Sequence, residues 1–76
     1  MSIEHLVEMA NDIGHFFASE SKREDAVAGI ANHLQRFWDY RMLRQIVVHL
    51  KNGGEGLEDL PREAVARIHV PDAGRA

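Results

Sequence analysis

The sequence contains no cysteine, and that absence removes several chemistries at once. Disulfide staples, thiolate catalysis, iron–sulfur ligation and the common zinc sites all need thiolates that are not there. Threonine is missing too, so a hydroxyl nucleophile could only be Ser2, Ser19 or Ser21. All three fall at a terminus or in a polar segment, with no base and orienting group in view to form a triad. No apolar run approaches the roughly 18 residues that a membrane helix requires. The opening "MSIEHLVEMANDI" mixes acids into its apolar residues, unlike the basic and then apolar order of a secretory signal. A cytoplasmic protein with no membrane association is expected. The formal net charge of −3 gives no overall attraction to nucleic acid. At 76 residues the chain is one domain, and a single core of this size supplies only about 3–5 kcal/mol without a staple or a partner.

What is present is helical periodicity. At 100° per residue, Ile3, Leu6, Val7, Ala10, Ile13, Gly14 and Phe17 share one arc, predicting an amphipathic helix over residues 3–18. In "SESKRED", Ser21 stands three before Glu24, the capping-box spacing, so a second helix is expected to start there. Its apolar face would run through Ala26, Val27, Ile30, Ala31, Leu34, Phe37 and Trp38. Asp39 interrupts the pattern and suits the N-cap of a third helix, on which Met42, Leu43, Ile46, Val47 and Leu50 share an arc. "NGG" at 52–54 ends it, since Gly accepts the left-handed conformation at a helix C-terminus. A short fourth helix follows, with Asp59 as cap, Pro61 in the first turn, and Leu60, Ala64, Val65 and Ile68 at helical spacing. The fold class is all-α: a small bundle of three helices plus a short fourth, spanning residues 1–70, with 71–76 expected to be a frayed tail.

Sites of chemistry are sparse. Glu8, Asp12 and His15 share one face of the first helix, and "DIGH" has the carboxylate-x-x-His spacing of bundle metal sites. No second such motif follows, so a solvated face with an Asp12–His15 contact is the simpler reading and no metal ligand is assigned. His33, His49 and His69 are isolated, and "GGEG" lacks the strand and the lysine of a phosphate loop. No catalytic, cofactor-binding or metal residue is expected in this chain.

The richest segment is "HLQRFWDYRMLRQIVVHL" at 33–50, which holds the only Trp, the only Tyr, and Arg36, Arg41 and Arg44. Aromatics and Arg are enriched at the centres of interfaces. The third helix carries Arg41, Arg44, Val48 and Lys51 on the side opposite its apolar arc, a stripe that could dock on an acidic groove or be simple solvated surface. Met9 and Phe16 lie off the main arc of the first helix, either widening the core or standing as surface anchors.

The strings "MANDIGHFF", "AVAGIANHLQRFWD", "RMLRQIVVHL" and "LPREAV" resemble the delta subunit of cytoplasmic NAD-dependent, molybdenum-containing formate dehydrogenases, over roughly residues 6–67. The most specific element is Phe37-Trp38-Asp39 followed by Arg41-Met42. Where the family pattern has proline between that Asp and Arg, this chain has Tyr40, which removes a preset φ at the start of the third helix but leaves the cap. The resemblance implies a non-catalytic accessory subunit of a hetero-oligomer. Its partner would be the large catalytic subunit, whose maturation or stability it supports. Molybdenum–pterin, iron–sulfur clusters, FMN and the use of NAD would belong to the other subunits, with none of these cofactors in this chain. Phe37, Trp38, Tyr40, Arg41 and Arg44 are the expected partner-binding or contact-shaping residues. For Phe37 and Trp38, which both lie on the second helix's apolar arc, core packing is the competing and favoured role. A different class of reading is a helical DNA-binding or regulatory module using the basic face of the third helix. The negative net charge and the scarcity of base-reading amides, Gln45 excepted, weigh against it.

Overall fold

The structure, a computed structural model, describes residues 1–71. Four helices follow one another: α1 (Ile3–Phe17), α2 (Arg23–Phe37), α3 (Tyr40–Lys51) and α4 (Asp59–Ala66). Among the described residues there is no strand, as the unbroken helical periodicity predicts. The expected tail falls almost wholly outside this range. Of it only Pro71 is described, and its carbonyl accepts a 2.8 Å hydrogen bond from the Tyr40 hydroxyl.

Two of the four helix starts are closed by side chains. At α1 the Ser2 hydroxyl accepts from the His5 N–H at 3.2 Å, and at α3 the Asp39 carboxylate accepts from the Met42 N–H at 2.9 Å. The cap on α3 therefore forms with Tyr40 in place of proline. The capping box expected at the start of α2 does not form. Lys22 occupies the N-cap with no side-chain hydrogen bond, and the Glu24 carboxylate is engaged instead by Arg67, the residue that follows α4. Similarly Glu58, not Asp59, is the N-cap of α4. Its backbone N–H donates to Asn11 Oδ1 at 3.0 Å while the Asn11 amide donates to the Gly56 carbonyl at 3.0 Å, so one asparagine on α1 clamps the loop before α4. The turn after α3 is made by Gly53 and Gly54, with φ of 113° and 64°, and Arg62 of α4 donates to both of their carbonyls.

The core joins all four elements. Leu6, Ile30, Leu34, Ile46 and Val65 are almost fully buried, and Trp38, Leu57, Ile68 and Val70 are buried in the same cluster. The α1–α2 pair is an antiparallel hairpin. Phe17 lies against Gly29, while Met9 and Ile13 share a hollow with His33 and Phe37 further along α2. On one flank of this hairpin lies α4. A Cβ at Gly14 would stand 2.9 Å from Cδ of Pro61, so the absence of a side chain there lets the α4 ring rest on the α1 backbone.

Candidate functional site

The two flanks of the hairpin differ in chemistry. On the α4 flank charges are matched across the helices. Arg67 forks onto Glu24 with two bonds of 2.7 Å and reaches Glu63 at 3.3 Å, while Arg23 bonds Asp59 at 2.8 Å and Glu63 at 2.9 Å. The Arg67 guanidinium, by hydrogen bond and by charge, holds the Glu24 carboxyl below the usual carboxylate range. Arg23 does the same to Asp59, and both guanidinium groups are pushed up in turn by their carboxylate bonds. His15 makes a separate contact on the same flank. Its Nε2 donates to Glu58 at 2.7 Å, so the expected Asp12–His15 contact is replaced by a bond to the cap of α4.

The opposite flank is largely apolar and, among the described residues, no helix lies along it, although Met42 of α3 and Trp38 close one end. Two adjoining hollows of about 470 and 270 Å³ run along it, sharing Asp12, Ile13 and His33 as lining. Phe16 stands 76 % exposed and Phe37 68 % exposed along it. The rings form a chain: Phe16 meets Phe17 edge-on at 5.1 Å between centroids, Phe17 lies 6.3 Å from His33, and His33 lies 4.7 Å from Phe37. Gly29 sets this chain in place, since a Cβ there would come within 2.5 Å of the Phe17 ring. The Arg36 guanidinium sits 5.8 Å from the Phe37 centroid, within reach of a cation–π contact. Among the described residues Asp12, Arg36, Arg41 and Arg44 make no ion pair.

The residues singled out in the sequence divide between core and surface. Trp38 is buried, on the floor of the larger hollow beside Met42. Phe37, placed on the same apolar arc, is exposed. The bundle covers α2 from the α4 flank, and Phe37 projects to the other side, so the core role favoured by periodicity does not hold for it. Tyr40 is half exposed, with its hydroxyl tied to Pro71. Arg41 is exposed and Arg44 half-buried on α3. Gln45, the amide that a DNA-reading helix would use, donates instead to the carbonyl of Met1 at 3.1 Å. The structure thus brings Phe37 and Trp38 to one hollow, and adds Phe16, Phe17 and His33, which were not singled out together. Phe16 left a trace in the sequence as an apolar residue off the main arc of its helix, whereas the part of Phe17 and His33 depends on the α1–α2 register.

No helix of the described residues is long and apolar enough to cross a membrane. No curated protein and no solved structure matches the chain significantly. The family model described as the NADH-dependent formate dehydrogenase delta subunit FdsD does match it, across residues 5–65, which take in all of α2 and α3, nearly all of α1 and most of α4. A match over that much of the chain makes this four-helix protein a member of the formate dehydrogenase delta subunit family.

Proposed function

We propose that the chain is a non-catalytic accessory subunit that binds the large catalytic subunit of a cytoplasmic NAD-dependent formate dehydrogenase and supports that subunit's maturation or stability. The observation that carries this reading is family membership over residues 5–65. The bare aromatic flank agrees with it, because a domain this small that leaves two phenylalanines in solvent gains stability and solubility when a partner covers them. Under this reading molybdenum–pterin, iron–sulfur clusters, FMN and the NAD site belong to the other subunits, and this chain has no cysteine to ligate an iron–sulfur cluster. Within this reading Phe37, Tyr40, Arg41 and Arg44 supply contacts and Trp38 shapes the surface from beneath.

The test is to purify the formate dehydrogenase from cells with and without this chain. The chain should copurify with the catalytic subunit, and enzyme made without it should show lower molybdenum content or a shorter half-life at equal protein. Unchanged loading, turnover and lifetime in its absence would sink the proposal. Charge reversal at Arg41 and Arg44 that alters neither binding nor formate oxidation would remove those two residues from the contact surface.

A further inference from the structure

We infer that the bare flank of the α1–α2 hairpin, lined by Met9, Ile13, Phe16, Phe17, His33 and Phe37, is the docking groove for one amphipathic α-helix of the partner subunit, with carboxylates along one edge of that helix. The inference rests on the accessory-subunit reading and specifies the surface and the partner chemistry it would use.

The molecule itself shows what fits against this hairpin. On the covered flank the occupant is a short amphipathic helix, α4, which buries Pro61, Ala64 and Val65 and directs Asp59 and Glu63 at Arg23 of α2. The bare flank repeats these elements on the other side of the same two helices. An apolar trough lies between α1 and α2, and a guanidinium stands on the α2 edge, here Arg36 beside Phe37. Arg36 has no carboxylate partner among the described residues, and neither does Asp12 on the α1 edge have a cationic one. Charge complementarity then sets the occupant: apolar side chains at i, i+3 or i+4, and i+7 for the trough, acids facing Arg36, and a base facing Asp12. An extended strand would fit poorly, because helix surfaces present no free backbone edge for it to pair with. The exposed rings of Phe16 and Phe37 stand ready as anchors, and large aromatics in a desolvated trough dominate interface energetics.

The experiment uses the full chain and the formate dehydrogenase assembled without it. Affinity is measured for the unaltered chain, for Phe16→Asp, Phe37→Asp and Arg36→Glu. A Phe37→benzoylphenylalanine variant is photocrosslinked in the complex and the attachment point is read by mass spectrometry. Each Asp variant should retain helicity, since both rings lie in solvent, and should weaken binding by about ten-fold or more. Arg36→Glu should weaken it less and reduce its salt dependence. The crosslink should fall in a partner segment with helical apolar spacing and flanking acids. If the unaltered chain does not bind, the accessory reading fails and this inference with it. If it binds and both Asp variants bind as tightly, or the crosslink falls in a segment without that spacing, the groove assignment alone is wrong. A crosslink to a second copy of this chain, with light scattering showing a dimer that Phe37→Asp dissociates, would likewise overturn it in favour of self-association.

Discussion

The α1–α2 hairpin has two flanks built from the same pair of helices, and they ended up with opposite surfaces. Where α4 lies, glycine admits a proline ring, carboxylates meet guanidinium groups, and the small side chains Ala64 and Val65 are buried. On the other side, large aromatic rings stand in solvent and charged edges have no mates among the described residues. The difference separates contacts that the chain completes alone from a surface that, among the described residues, it leaves open. Its own fourth helix is short, with eight residues, and one such element can cover only one side of a hairpin.

The sharpest way to test this division is at two adjacent residues. Trp38→Ala removes a buried indole from the core and should cost about 3–5 kcal/mol, which for a domain of this size means loss of the cooperative thermal transition and of most helicity by circular dichroism. Phe37→Ala, one residue earlier, should change thermal stability little and weaken the complex instead. If both unfold the chain, Phe37 belongs to the core and the bare flank is not an interface. If neither affects folding, Trp38 has been wrongly assigned to the core.

A smaller effect separates the flanks at their glycines. Gly14→Ala places a Cβ 2.9 Å from a proline ring carbon that cannot rotate away. Overpacking of about 1–3 kcal/mol should therefore exceed the gain of about 1 kcal/mol that alanine brings to a helix interior. Gly29→Ala puts its Cβ 2.5 Å from Phe17, but that ring is only partly buried and can swing outward. Its thermal midpoint should hold or rise, while binding at the groove falls because the aromatic chain is displaced. Equal destabilisation at both sites would mean the bare flank is as tightly packed as the covered one.

These contrasts also explain how far the sequence could be read. Helix positions followed from apolar spacing, and Asp39 and the Gly53–Gly54 break were legible because capping and left-handed turns are local chemistry. The Ser21–Glu24 box was not realised, and Glu24 pairs instead with Arg67, 43 residues away, which no local rule anticipates. The same limit applies to Phe37. A 100° step places it beside Ile30 on α2, but which part of an apolar arc is covered depends on where α4 packs. Phe17 and His33 entered the candidate site for the same reason, through the register of α1 on α2.

The smallest expected effect is the pH dependence of the covered flank. Glu24 and Asp59 are held below their ordinary values by hydrogen bonds and charge from Arg67 and Arg23. The unfolded chain therefore binds these two protons more readily than the folded one, and stability must rise with pH across their titration. Their contribution is complete above the ordinary values of 4.5 and 3.8 and is lost as pH falls through the lower folded values. All four side chains reach solvent, so screening keeps the effect modest, and it should shrink further in high salt. Thermal midpoints measured across acid pH should fall on acidification, and the double variant Glu24→Gln, Asp59→Asn should flatten that limb while starting from a slightly lower midpoint at neutral pH. A limb unchanged by the double variant would mean that packing of Pro61, Ala64 and Val65, with no help from the ion pairs, holds α4 in place. The covered flank would then differ from the bare one in shape alone, and the argument for acids on the partner helix would rest on Arg36 without the precedent of Arg23.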